Sequence, residues 1–233
     1  SPRIELLPLN ISGDGGPATS ARLDTPREFG PQGDGGLLVV DSANHRIRRI
    51  APDGTITTVA GTSAGFSGDG GPATSAQLNA PRGVTGTTDG GYLIADAGNH
   101  RVRKVDAAGR ITTVGGTGQG FAGDGGLATN AQLSAPSDVA EIANGGIILV
   151  DTANNRLRRI TPLGAIFTIA GGDPGLAGDG GLASAGRFNT PNALQFAPGG
   201  GLLVGDTANH RVRRLGDVGE VPNPESVRSI GVA

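Results

Sequence analysis

Residues 89–114 read Asp-Gly-Gly-Tyr-Leu-Ile-Ala-Asp-Ala-Gly-Asn-His-Arg-Val-Arg-Lys-Val-Asp-Ala-Ala-Gly-Arg-Ile-Thr-Thr-Val. Three short extended runs separated by turns account for this stretch. Asp89-Gly90-Gly91 closes a hairpin, since Asp-Gly supplies the positive φ angles of a type I′ turn. Tyr92–Ala95 is apolar on both faces, as in a strand buried between two layers. At Asp96 the chain turns again, and the carboxylate is expected to accept backbone N–H groups of its own Asx-type turn. Arg101–Val105 is the next strand and Asp106–Gly109 the next turn. Ile111–Val114 suits a half-exposed outer strand. Upstream, Pro81 opens a shorter strand centred on Val84, at a strand start where its missing N–H is tolerated. The unit is a four-stranded antiparallel meander.

The unit occurs four times at a fixed spacing of 55 residues, with no insertion or deletion. Gly-Asp-Gly-Gly begins at Gly13, Gly68, Gly123 and Gly178, and an Asp-x-x-Asn turn follows at Asp41/Asn44, Asp96/Asn99, Asp151/Asn154 and Asp206/Asn209. Four strands per unit of this length match a propeller blade. We therefore expect one all-β domain over 1–233, a β-propeller with repeats 13–67, 68–122, 123–177 and 178–232. The expected form is a closed four-bladed disc; part of a larger ring, or a ring completed by a second chain, are the alternatives. The last unit loses its outer strand to Pro222-Asn-Pro224. Ile4–Leu7 lies where a fourth strand belongs, and is expected to close the last blade and remove an open sheet edge. Because successive strands of a meander alternate in direction, the Gly-Asp-Gly-Gly connections and the Asp-x-x-Asn turns should share one face.

Composition narrows the function classes. Aromatics are 3% of the chain, so the core must be aliphatic, and 43 glycines fit many tight turns. The net charge of -2 gives no general pull toward nucleic acid or anionic membrane. With no cysteine there is no disulfide framework or thiol chemistry. No apolar stretch approaches the ~20 residues of a membrane helix. With no Met, an excised domain or a processed chain is expected, and the Gly/Ala-rich style leads us to expect an extracellular or periplasmic setting in a bacterium.

The strings Asp41-Ser-Ala-Asn44-His45-Arg46-Ile47-Arg48, Asp96-Ala-Gly-Asn99-His100-Arg101-Val102-Arg103 and Asp206-Thr-Ala-Asn209-His210-Arg211-Val212-Arg213 resemble NHL repeats; the third copy departs, with Asn155 in place of His. The resemblance runs from Gly13 to about Val221, and the Gly-Asp-Gly-Gly-Pro-Ala-Thr variant is similar to the bacterial and teneurin-type branch. It implies a β-propeller, most often six-bladed in such families. It also brings in histidines around a central zinc, as in NHL-type lyases.

Three candidate chemistries follow. His45, His100 and His210 could ligate Zn²⁺, but each holds a signature position at a turn-to-strand junction, which marks a blade part. Asp14, Asp69, Asp124 and Asp179 in the Gly-rich loops are candidate ligand-binding residues; one carboxylate per loop is too few for a Ca²⁺ cage. Asp41, Asp96, Asp151 and Asp206, with Asn44, Asn99, Asn154 and Asn209, are expected to form a structural turn network with Arg46, Arg101, Arg156 and Arg211. The basic third strands lack the aromatics that stack bases, which argues against RNA. Residues that break the repeat, namely Asp138, Glu141, Tyr92, Asn155, Gln195 and Glu220, show no nucleophile–base pair and no paired carboxylates.

The reading that follows is a non-catalytic binding or scaffolding module without a cofactor. Its partner is a protein or glycan held on the face of the Gly-Asp-Gly-Gly loops. The alternatives are a metal-dependent lyase or hydrolase of the NHL propeller type and a self-assembling blade array, the latter predicting a homo-oligomer.

Overall fold

The computed structural model describes residues 12–198, 200–216 and the strand Arg228–Ile230. Four antiparallel sheets are arranged as a four-bladed β-propeller, with only one-turn 3₁₀ segments between strands. Blade 1 holds β1 (Gly16–Pro17), β2 (Pro26–Pro31), β3 (Leu37–Asp41), β4 (Arg46–Ile50) and β5 (Thr55–Ala60). Blade 2 holds β6 (Gly83–Gly86), β7 (Tyr92–Asp96), β8 (Arg101–Val105) and β9 (Ile111–Gly115). Blade 3 holds β10 (Asp138–Glu141), β11 (Ile147–Asp151), β12 (Arg156–Ile160) and β13 (Ile166–Gly171). Blade 4 holds β14 (Pro191–Phe196), β15 (Leu202–Asp206), β16 (Arg211–Leu215) and β17 (Arg228–Ile230).

Each blade is the expected meander, and Tyr92–Asp96 is buried throughout. Two local expectations are corrected. The Asp89-Gly90-Gly91 hairpin has positive φ at Gly90 (84°) but not at Asp89, so it is not type I′. Thr87 and Gly91 close a three-residue loop whose last residue is left-handed, and the Asp89 carboxylate accepts the Gly91 N–H at 3.1 Å. The outer strand of blade 4 is Arg228–Ile230, paired with β16, whereas the proposed closing strand 4–7 lies outside the described residues.

A bulge recurs where the third strand meets the fourth, at Ile47/Arg48, Val102/Arg103 and Leu157/Arg158. The arginine after each bulge is fully buried. The Gly-Asp-Gly-Gly connection runs to the outer edge of its own blade: β1 pairs with β5, and Pro72 and Leu127 bridge to Arg110 and Ala165. It also meets the preceding blade, since the Gly61 N–H donates to the Ala73 carbonyl at 3.0 Å. The connection therefore covers an edge strand that would otherwise offer unpaired backbone groups.

The core is aliphatic apart from Tyr92 and Phe188, and lies between blades. One cluster joins blades 1 and 2 (Leu38, Val40, Ile47 with Leu78, Val84, Ile94), a second joins blades 2 and 3 (Leu93, Val102 with Leu133, Val139, Leu149), and a third joins blades 3 and 4 (Ile148, Leu157 with Phe188, Leu194, Val204). Among the described residues none of these clusters joins blade 4 back to blade 1.

Candidate functional site

The turn network forms around buried carboxylates. Asp96 Oδ1 accepts the Asn79 N–H at 2.8 Å, and Oδ2 accepts from Asn99 Nδ2 at 2.8 Å. Asp41, Asp151 and Asp206 take the same partners from Asp24, Ser134 and Asn189. The backbone group these carboxylates satisfy is thus 17 residues upstream, in the connection that leads into the blade, and not in the Asx turn expected. Their cation is also not the residue expected: the guanidiniums in reach belong to Arg48, Arg103, Arg158 and Arg213 at 3.4–3.6 Å. Arg46, Arg101 and Arg156 instead hold their own turns through the carbonyls of Asn44, Asn99 and Asn154. Burial pushes the Asp96 and Asp151 carboxyls up to about 6, against the hydrogen bonds that favour their ionised forms.

The loop aspartates are drawn into the same arrangement. Asp14, Asp69, Asp124 and Asp179 pair with Arg48, Arg103, Arg158 and Arg213 at 2.6–2.8 Å. Each buried guanidinium therefore lies between a buried turn carboxylate and a half-exposed loop carboxylate, which offsets the cost of burying its charge. Above it lies an aromatic layer. Phe66 and Phe121, just ahead of Gly-Asp-Gly-Gly, are half exposed, with Arg101 and Arg156 stacked over their rings at 3.8 Å. Arg103 and Arg158 lie about the same rings at 5.0 and 5.1 Å.

The histidines are not brought together. His45 Nδ1 accepts the Ala80 N–H and His100 Nδ1 accepts the Ala135 N–H, each at 3.0 Å and each on the next blade. Asn155 serves the same purpose, its Oδ1 accepting the Thr190 N–H at 2.8 Å. These side chains latch neighbouring blades. All sit in the left-handed region, φ 53–57°, which Asn tolerates better than most residues. Among the described residues no group of three or more His, Asp or Glu is placed to hold a metal ion.

Of the repeat-breaking residues, Tyr92 donates its hydroxyl to the Val59 carbonyl at 2.9 Å across a blade junction, and Glu141 accepts the Thr88 N–H at 2.7 Å. Asp138 overturns the expectation of no paired carboxylates. It shares a carboxyl-to-carboxylate hydrogen bond with Glu28 of blade 1. Its oxygens also accept the N–H groups of Val139 at 2.6 Å and of Leu194, on blade 4, at 2.7 Å. Glu28 and Asp138 hold one repeat position, which reads Glu28, Gly83, Asp138, Ala193. Gly83, on the blade between them, makes room. A Cβ on Gly83 would meet the Ser137 carbonyl at 2.6 Å, Asp138 Cα at 2.8 Å and Glu28 Oε2 at 2.9 Å. Burial first, then the adjacent Asp138, raises the Glu28 carboxyl to about 9, so it is protonated at neutral pH. Glu28 was missed in the sequence, although the mismatch within its repeat position was visible there.

No family model matches the chain. Teneurin-1 of Homo sapiens is 28% identical over 241 residues, covering 91% of this chain. A solved streptogramin B lyase superposes with a TM-score of 0.58 at 14% identity, over 91% of this chain. The shared architecture is the β-propeller. A gluconolactonase from Xanthomonas campestris gives a TM-score of 0.65 at 14% identity, again over 91% of this chain. The chain spans 9% of the length of teneurin-1, and 56% and 64% of the two solved propellers.

Proposed function

We propose that the chain is a non-catalytic binding module of the NHL type, and that its loop face grips a protein. The carrying observation is the repeated arginine-on-phenylalanine stack. Phe66 and Phe121 stand half exposed one blade apart, each held rigid by a guanidinium at 3.8 Å. Exposed aromatics that are already ordered lose little entropy on binding, and Phe and Arg are enriched where interfaces bury most. Repetition at 55-residue spacing lets two modest contacts act together. The loop aspartates supply the polar rim, their charge already engaged by buried arginine. The test is binding to arrayed extracellular proteins and to arrayed glycans, with Phe66→Ala/Phe121→Ala as the comparison. A protein hit lost in the double variant, at unchanged Tm, supports the reading. Glycan hits alone, or binding indifferent to both rings, reject it.

A second reading is acid–base catalysis, favoured by the Glu28–Asp138 pair, in which one carboxyl stays protonated beside another. The lyase and gluconolactonase among the structural neighbours keep it in view. It requires turnover of a lactone or cyclic ester that Glu28→Gln abolishes; equal turnover in the variant rejects it.

A further inference from the structure

The three blade junctions are built from one set of repeat positions, and the two ends of the arc carry the two halves of a fourth. The leading face of a blade presents the positions of Leu23 and Phe29. Their equivalents Leu78, Leu133 and Phe188 are 0% exposed, and Val84, Val139 and Leu194 are 1–9% exposed. On blade 1, with no blade before it among the described residues, Leu23 is 37% and Phe29 69% exposed. The trailing face presents the position of Ile47, Val102 and Leu157, each 0% exposed; on blade 4 this residue is Val212, at 37%. The latch is divided in the same way. His45, His100 and Asn155 each accept an N–H from the next blade, at Ala80, Ala135 and Thr190. Thr25, the equivalent donor, has the same left-handed backbone (φ 52°), and His210, the equivalent acceptor, has φ 54°. Among the described residues neither the Thr25 N–H nor the His210 ring has a hydrogen-bond partner. Each end therefore offers apolar surface and a preset polar group whose complement stands at the other end of the same chain.

We propose that blade 4 of one chain docks head to tail on blade 1 of a second copy, repeating the internal junction. Val212 would then meet Phe29, and the His210 ring would accept the Thr25 N–H. The occupant is a second copy because the complementary face belongs to this repeat, and among the described residues the chain's own two ends do not make the junction. Such an interface is heterologous, and two copies close it when both pairs of ends meet.

The experiment is light scattering on the purified chain across a concentration series, with Phe29→Asp, Val212→Asp and, as a control on an exposed outer strand, Phe167→Asp. The expected mass for the wild type and the control is twice the 23.1 kDa of one chain. Phe29→Asp and Val212→Asp alone should each associate at least ~10-fold more weakly, because a carboxylate facing an apolar surface is costly to desolvate. Mixed with each other, they should regain a dimer, since one intact leading face then meets one intact trailing face. A monomeric wild type overturns the proposal. So does a dimer that survives either single substitution, or a mixture that stays monomeric. Circular dichroism and Tm of each variant show that the fold is intact, since both residues are already exposed in the single chain.

Discussion

Replacing Glu28 by Gln should remove a pH dependence of stability that the wild type shows between about pH 6.5 and 8.5. In the folded chain the Glu28 carboxyl is held up to about 9, against 4.5 for the free group. Between those values the folded state keeps the proton and the unfolded state has lost it, so folding takes up a proton. Stability from this group is full below pH 4.5, falls as pH rises, and is gone above about 9. One proton gives a ceiling of ~1.4 kcal/mol per pH unit, or about 3 kcal/mol over two units. Asp96 and Asp151, raised to about 6, act in the same direction but lower, near pH 4–6, so they stay outside the window. In the Glu28→Gln variant the side-chain amide would donate to Asp138 and accept the Val84 N–H, the two bonds protonated Glu28 makes, without titrating. Urea unfolding followed by circular dichroism at half-unit pH steps gives both slopes. A wild-type midpoint that falls with pH, beside a flat one in Glu28→Gln, is the expected result. Parallel profiles would refute the proton-sharing pair.

Gly83→Ala should destabilise by ~1–3 kcal/mol in chemical denaturation, because its methyl would enter space held by the Ser137 carbonyl, Asp138 and Glu28. Arg103→Met should cost ~3 kcal/mol or more by the same assay, as it leaves the buried Asp96 without its cation and removes the hydrogen bonds to the carbonyls of Ser67 and Gln77. His100→Asn should retain near wild-type stability, because Asn155 already forms the latch in blade 3. His100→Ala should lose ~1 kcal/mol with the Ala135 N–H unpaired, and thermal melts separate the two.

Much of the fold was legible because it is periodic. Gly-Asp-Gly-Gly and Asp-x-x-Asn at constant spacing fixed the blade, and Tyr92–Ala95 was readable as a doubly buried strand from its unbroken apolar run. What escaped was pairing at a distance. Arg46 and Arg48 are indistinguishable in sequence, and only the packing of the folded blade shows that the second of them is the buried one, held between Asp41 and Asp14. The hairpin type also escaped, because Asp-Gly serves both a type I′ turn and a three-residue loop ending in left-handed glycine. Glu28 and Asp138 escaped for a different reason: they are 110 positions apart, and each alone reads as an ordinary acidic residue at the start of a strand.

By itself, then, the sequence determined the unit, its strands, its turns and its repetition, because these depend on local alternation and on glycine and proline geometry. Tertiary structure alone decided which arginine is buried, that His45 and His100 latch blades and form no metal cluster, and that two carboxyls two blades apart lie side by side. It also showed that both ends of the arc keep junction surface in solvent. Those outcomes depend on how whole blades stack, and stacking is set by contacts between residues that chain order keeps far apart.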